Sequence, residues 1–285
     1  MKKLLSGVLL AALVLVLAAC GTKNTDESNN TSGKSENTDE KETTKIVIGA
    51  SNTPHSIILE QAKPLLEEKG YDLQIETYQD YVLPNQDLES GEIDANYFQH
   101  IPYLELQIKD AGYDFVNAGG IHIEPIGVYS KKYKSLDELP DGATILMSSS
   151  VSDHGRVLAM LESKGLIKLD ESVDKTAAEL KDIVENPKNI EFDANYEPGL
   201  MPQLYSNDEG DALLINSNYA IDAGLNPIED SIAIEDKDSP YVNIIAVRKG
   251  DENNESIKAL IEVLKSKEIQ DFIIKEWGGT VVPVK

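Results

Sequence analysis

Cysteine and basic residues are scarce in this 285-residue sequence, and each scarcity excludes a class of protein. Cys20 is the only cysteine, so no disulfide can form within one chain and the core alone must stabilise the fold. Lys and Arg number 26 against 50 Asp and Glu, which gives a net charge of −24. This acidity argues against nucleic acid, and against an anionic membrane surface, as a direct partner.

Motifs of enzymes and of metal sites are also missing. The sequence contains neither the G-x-S-x-G turn of serine hydrolases nor an H-x-x-x-H pair, and its four histidines lie far apart along the chain. Residues 148–156, SSSVSDHGR, place Ser, Asp and His side by side, but catalytic triads are assembled across space. We predict no enzyme, no metal and no cofactor, with an exported hydrolase using Ser150 as the alternative.

The first 45 residues predict export and attachment to a membrane. Residues 1–19 combine a basic start with an uncharged apolar run, which is typical of a signal peptide. The run ends in LAACG, which resembles the lipobox of bacterial lipoproteins, so we expect Cys20 to be acylated. Residues 21–45 contain no large apolar side chain, so we predict that residues 20–45 form a lipid-anchored flexible tether. The folded part should therefore lie on the extracytoplasmic face of the cell membrane.

Strand and helix patterns alternate through the remaining residues. KIVIGAS (45–51) reads as a strand followed by a helix that ends near Gly70, and YDLQIETY (71–78) alternates as a second strand. Such alternation predicts an α/β fold with mainly parallel sheets flanked by helices. We expect two lobes, residues 46–125 plus 240–285 and residues 126–239, joined by crossing strands near 121–130 and 232–248.

Two polar segments favour a binding site over a catalytic one. In DHGRVLAM, Gly155 and Arg156 lie in the first turn of a predicted helix, where free N–H groups and a guanidinium can bind a carboxylate. Arg156 paired with a surface acid is the alternative. In LLINSNYA, Asn216 and Asn218 follow a strand, and their amides could hold an amino-acid head group. Two Asn at a turn can equally serve local structure.

Several segments together resemble one known family. They are IVIGASNTPHSIILE, YQDYVLPNQDLESGEIDANYFQHIPYLE, EPIGVYSKKYKSLDELPDGA, GRVLAMLESKGLIKL, NPKNIEF, INSNYAIDAGLNP and SPYVNIIAVR. They are similar, in the same order, to segments of the methionine-binding lipoproteins of ABC importers. The resemblance implies a two-lobed periplasmic-binding-protein-like fold that clamps methionine, L or D, between its lobes. It also implies delivery to a membrane permease driven by an ATPase, and we expect a monomer.

The resemblance implies roles for individual residues. Arg156 would hold the α-carboxylate, and Asn216 and Asn218 would orient the head group. The wall around the thioether would consist of aromatic rings, which pack well against sulfur: Tyr81, Tyr97, Phe98 and His100.

The sequence departs from the family pattern at two places. Asp153 stands where the family usually has Asn, so it would either repel a ligand carboxylate or receive the ligand ammonium. Residues 193–212 form a longer connection than usual, and Pro202-Gln203 replaces Pro-Arg. These changes leave open a related amino acid or a methionine-containing dipeptide as ligand. They also leave open a surface interaction protein that has lost transport.

Overall fold

A computed structural model describes residues 43–284. The predicted signal peptide, Cys20 and all but the last residues of the predicted tether lie outside the described residues. Within residues 43–284, no helix combines the length and the apolar character needed to cross a membrane.

Thirteen strands and eight α-helices make up the described part of the chain, joined by short turns. The strands are β1 (Thr44–Ser51), β2 (Tyr71–Tyr78), β3 (Ala95–His100), β4 (Phe115–Ile123), β5 (Gly127–Tyr129), β6 (Thr144–Ser148), β7 (Lys168–Leu169), β8 (Ile183–Glu185), β9 (Glu191–Tyr196), β10 (Ala212–Ile215), β11 (Ser231–Ile234), β12 (Val242–Arg248) and β13 (Val282–Pro283). The helices are α1 (Ile57–Glu68), α2 (Leu83–Ser90), α3 (Ile101–Ala111), α4 (Val151–Ser163), α5 (Met201–Ser206), α6 (Ser217–Asp222), α7 (Glu255–Leu264) and α8 (Lys267–Trp277). Strand β1 includes the last two residues of the predicted tether.

Two large sheets organise these elements, and the predicted two-lobed α/β class is confirmed. The first sheet has the order β13-β4-β12-β3-β1-β2, and the second has the order β11-β5-β10-β6-β9. Strands β7 and β8 form a small separate ribbon. Each large sheet has its own hydrophobic clusters, one centred on residues such as Ile48 and Leu260, the other on Ile145 and Leu161.

Both sheets are mixed, which corrects the expectation of mainly parallel strands. Strand β1 runs parallel to β2 and β3, while β12 runs antiparallel to β3 and β4. The reason is the double crossing between the lobes. The chain leaves the first sheet through β4 and returns through β12, so these neighbours run in opposite directions. Strands β5 and β11 form the matching antiparallel pair in the second sheet.

Local sequence explains where the helices around the site begin and end. Helix α1 ends two residues before Gly70, which adopts φ of 88° as the predicted stop. Helix α3 begins after His100, whose Nδ1 accepts a hydrogen bond from the Tyr103 N–H. Helix α4 packs so closely on residues 175–177 that a Cβ on Gly155 would lie 2.3 Å from the Thr176 carbonyl oxygen. This packing requires glycine at position 155. Because α4 begins at Val151, Gly155 and Arg156 lie in its second turn, which corrects their expected place among the free N–H groups of the first turn.

Candidate functional site

A cavity of about 30 Å³ lies between the two lobes, at the carboxyl ends of β3 and β10 and beside the start of α4. Open α/β sheets commonly place ligands at such strand ends. The cavity lining contains seven of the eight predicted site residues: Tyr81, Phe98, His100, Asp153, Arg156, Asn216 and Asn218. Segments far apart in sequence thus contribute to one space.

Charged groups form one side of this cavity. Arg156 Nη2 lies 2.7 Å from Asp153 Oδ1, and Asp153 also receives hydrogen bonds from His100 Nε2 at 3.0 Å and Asn216 Nδ2 at 3.2 Å. Arg156 and Asp153 are only 6% and 2% exposed. The alternative of a surface ion pair for Arg156 is therefore wrong, because both partners are buried in the cavity wall.

The ionisation of this pair follows from its contacts. Burial alone would raise the pKa of Asp153, but the Arg156 guanidinium and the bonds from His100 and Asn216 outweigh burial and hold that pKa far below its usual range. Burial would lower the pKa of Arg156, but the Asp153 and Glu235 carboxylates raise it. Asp153 therefore stays a carboxylate and Arg156 a guanidinium at neutral pH.

The tautomer of His100 follows from the same network. His100 Nδ1 accepts from the Tyr103 backbone N–H at 3.1 Å. A neutral ring with an accepting Nδ1 carries its proton on Nε2. This Nε2–H points at Asp153 Oδ1, so His100 of the first lobe donates to Asp153 of the second lobe.

Aromatic rings form the other side of the cavity. The ring centroids of Tyr81, Phe98 and Tyr103 lie 5.9 to 6.1 Å from one another, and we call these three rings the aromatic trio. The Tyr103 hydroxyl donates to the Tyr81 carbonyl oxygen at 2.8 Å, and the Tyr81 hydroxyl donates to Asn218 Oδ1 at 2.7 Å. Tyr103 was not predicted from the sequence, although its place three residues after the helix cap His100 brings it onto the same side.

Tyr97 does not line the cavity, which corrects its assignment to the thioether wall. Side chains alternate along a strand, and Tyr97 points into the core cluster that also contains Ile48. Its ring centroid lies 4.6 Å from that of His55, and its hydroxyl bonds to His122 Nδ1. Tyr97 therefore supports the residues behind the cavity wall.

A second polar cluster at the cavity floor was also missed. His122 Nε2 lies 2.7 Å and His55 Nε2 lies 3.3 Å from Glu124 Oε1, and His55 Nε2 lies 3.0 Å from Asn243 Oδ1. Burial lowers the pKa of His55 to about 4 and that of His122 to about 3, so both rings are neutral at neutral pH. Burial raises the pKa of Glu124, and His55 and Arg156 oppose that rise.

This cluster could in principle hold a cation, since its three ligand atoms lie within 4.8 Å of one another. The hydrogen bond of His122 to Glu124, that of His55 to Asn243 and that of Tyr97 to His122 account for the arrangement by themselves. The signal in the sequence was His122-Ile123-Glu124, because residues two apart at the end of a strand share one face. His55 could not be placed there from sequence spacing.

The residues of the hydrolase alternative do not make the contact that this alternative requires. A serine nucleophile needs a base within hydrogen-bond reach. Ser150 Oγ instead lies 3.1 Å from Ser152 Oγ, and His154 Nε2 lies 2.9 Å from the Ser148 carbonyl oxygen. Neither arrangement activates Ser150.

Two lobes around a cavity with one ionic and one aromatic side define a ligand-binding protein of the periplasmic type. Comparison with known proteins specifies the family. The sequence model described as NlpA lipoprotein matches residues 46–285, and the chain belongs to this family.

Relatives within the family support the same class. The methionine-binding lipoprotein MetQ of Bacillus subtilis is 53% identical over 286 residues, covering 100% of this chain and 99% of the relative. A nutrient-binding protein of Burkholderia cenocepacia, solved with methionine bound, is 39% identical with a TM-score of 0.79, covering 84% of this chain and 100% of that one. A periplasmic substrate-binding protein of an ABC transporter from Coxiella burnetii is 35% identical with a TM-score of 0.79, covering 84% and 100% of the two chains. The resemblance inferred from the sequence is confirmed.

Proposed function

We propose that this chain binds methionine, L or D, in the cavity and delivers it to the permease and ATPase of an ABC importer. The cavity offers what an amino acid with a thioether side chain requires, an ionic side for the head group and an aromatic side for the sulfur. The names of the relatives point to the same ligand class. Binding of this kind requires no catalytic residue and no cofactor.

One observation carries the proposal. Four buried polar side-chain atoms of residues 43–284 have no hydrogen-bond partner, and three of them belong to residues that line the cavity: Arg156 Nε, Asn216 Oδ1 and His55 Nδ1. Buried polar groups are rarely left unpaired without a reason. Arg156 Nε is a donor suited to a carboxylate, and Asn216 Oδ1 is an acceptor suited to an ammonium group. Together they match the head group of an α-amino acid.

Asp153 then acts on the ligand through its neighbours. Its carboxylate is already paired with Arg156, which removes most of the repulsion that a free acid would exert on a bound carboxylate. The bond from Asn216 Nδ2 to Asp153 Oδ2 leaves Asn216 Oδ1 as the free end of that amide. Asp153 thus orients both groups that would hold the head group.

Entry of a ligand requires the lobes to move apart. The cavity of about 30 Å³ holds roughly two water molecules, much less than an amino acid. His100 to Asp153 and Tyr81 to Asn218 are contacts between the proposed lobes, residues 46–125 plus 240–285 and residues 126–239. In two-lobed binding proteins, such contacts break when the lobes open and form again when the lobes close around the ligand.

We also propose that the chain is a monomer attached to the cell membrane through a lipid on Cys20, with residues 20–45 as the tether. The family membership supports this, because the family is named for its lipoproteins. Fractionation of cells that express the chain tests the anchor. A Cys20→Ala variant should leave the membrane fraction, and continued membrane association of that variant would contradict the anchor.

Isothermal titration of the full chain in detergent tests the ligand. L-methionine and D-methionine should bind, whereas leucine, which lacks sulfur, should bind more weakly. Glycyl-methionine in the same titration tests the dipeptide alternative. No heat of binding with any methionine compound would overturn the proposal and leave the fold and family unaffected.

A further inference from the structure

The surroundings of the aromatic trio are negatively charged. Tyr81 and Tyr103 line the cavity and also a larger open groove of about 560 Å³. Among the described residues that line the two spaces, four are acidic and one is basic. The acids are Asp80, Glu124, Asp153 and Glu197, and the basic residue is Arg156. Arg156 is itself paired with Asp153, and its Nη1 lies 3.5 Å from Glu235, which lines neither space. The rings therefore lie in a field of negative sign.

The hydroxyl groups of the trio respond to this field. Burial raises the pKa of Tyr103, and the charges of Asp80, Asp153 and Glu197 raise it further. Burial raises the pKa of Tyr81, and Asp153 and Glu124 add to that rise. Acids of both spaces therefore act on the same rings.

A neutral thioether gains little from negative surroundings, whereas a cation over aromatic faces gains from both the rings and the nearby carboxylates. A sulfonium, in which sulfur carries three carbon substituents and a positive charge, is such a cation. The groove lies next to the aromatic side of the cavity, because Tyr81 and Tyr103 line both spaces, and the additional substituent would point toward it. Both features point to one ligand class.

We propose that the site accepts sulfonium derivatives of methionine, with the charged sulfur against Tyr81, Phe98 and Tyr103 and the added alkyl group directed toward the groove. The inference rests on the proposed function, since it places the amino-acid head group at Arg156 and Asn216. It extends the ligand class from a neutral to a cationic side chain. S-methyl-L-methionine is the smallest member of this class.

Titration of the full chain in detergent with L-methionine and with S-methyl-L-methionine tests the inference. Burying a permanently charged sulfonium in an uncharged pocket that fits only a neutral thioether would be strongly unfavourable. The dissociation constant of the sulfonium should nevertheless be no more than about tenfold above that of methionine, because the field offsets this penalty. A larger ratio with methionine still binding would overturn the inference alone. Absence of binding by both compounds would overturn the proposed function and the inference together.

Charge variants in the groove test the physical cause. Asp80→Asn combined with Glu197→Gln removes two negative charges without changing side-chain size, and neither residue touches the head-group site. The sulfonium should lose about threefold or more in affinity, and methionine should change less than twofold. Glu171→Gln is the matched control, because its side chain is 90% exposed and lines neither space. An unchanged ratio of the two dissociation constants in the double variant would overturn the inference.

Discussion

Asp153 and Arg156 form a buried ion pair within one turn of α4, with Arg156 Nη2 2.7 Å from Asp153 Oδ1. The guanidinium also stacks on the ring of Tyr241, with Arg156 Cζ 4.9 Å from the ring centroid. The pair leaves Arg156 Nε without a partner among the described residues. In the proposed function, one helix therefore supplies both the cation for the ligand carboxylate and the acid that fixes the direction of that cation.

Arg156→Ala should abolish methionine binding and also destabilise the protein. It leaves the Asp153 charge buried beside only His100 and Asn216, which typically costs about 3–5 kcal/mol. Urea denaturation measures the free energy of unfolding, and titration measures binding. Arg156→Lys is the control, because it keeps the charge and removes the guanidinium Nε. It should recover much of the stability but little of the affinity, and full binding by Arg156→Lys would contradict the role given to Nε.

Tyr81→Phe should weaken methionine binding while the fold stays intact. The substitution keeps the ring of the aromatic trio and removes the hydroxyl that bonds to Asn218 across the lobes. Loss of one such hydrogen bond costs about 0.5–1.5 kcal/mol, which corresponds to a two- to tenfold rise in the dissociation constant. Tyr133→Phe, at a position that lines neither the cavity nor the groove, should bind as the wild type does. If the wild type, Tyr81→Phe and Tyr133→Phe bound methionine with equal affinity, the hydrogen bond from Tyr81 to Asn218 would not contribute to the ligand-bound state.

Local patterns predicted the fold class, whereas Tyr81, Phe98 and His100 in the cavity wall were implied by the resemblance to the family. Strand and helix periodicity located β1, α1 and β2 to within a few residues. Asn216 and Asn218 follow the end of β10, and Arg156 lies in the second turn of α4, the helix that follows β6; the carboxyl ends of strands converge on ligand sites in open sheets. The error at Tyr97 has a single cause, since the sequence did not show which face of β3 meets the core.

The cluster of His55, His122 and Glu124 could not be predicted in the same way. His55 follows β1, whereas His122 and Glu124 lie at and just beyond the end of β4, and these two strands are not neighbours in the sheet. Their meeting depends on the path of the turn after β1. Tyr97, placed in the thioether wall from sequence, instead bonds to His122. Sequence patterns show periodicity along one helix or strand. They do not show which side chains from separate elements come into contact, as His55 does with His122 and Glu124.

Tyr129→Phe should stabilise the protein. The Tyr129 side chain is completely buried, and its hydroxyl is among the buried polar atoms without a partner in residues 43–284. Removing an unsatisfied buried polar group without changing the ring should raise the free energy of unfolding by about 1 kcal/mol. Thermal unfolding measures the change, and methionine affinity should stay constant because Tyr129 does not line the cavity. A lower melting temperature would show that the hydroxyl has a partner.

Acid should destabilise the folded chain well before its exposed carboxylates are protonated. Burial lowers the pKa of His55 from 6.5 to about 4 and that of His122 from 6.5 to about 3. Below pH 6.5 the unfolded chain takes up protons at both rings before the folded chain does. The free energy of unfolding should therefore fall between pH 6.5 and 4, by at most about 1.4 kcal/mol per pH unit for each proton. The raised pKa of Glu124 has the opposite sign and reduces this slope.

Urea denaturation at a series of pH values measures this slope. His122→Asn should make the slope smaller by up to about 1.4 kcal/mol per pH unit, because one of the two protons is no longer taken up on unfolding. His154→Asn is the control, since His154 bonds to the Ser148 carbonyl oxygen outside this cluster. This variant should show the same slope as the wild type. A slope that is the same in His122→Asn and in the wild type would mean that His122 takes up its proton equally in the folded and unfolded chains. The buried, neutral state assigned to this imidazole would then be wrong.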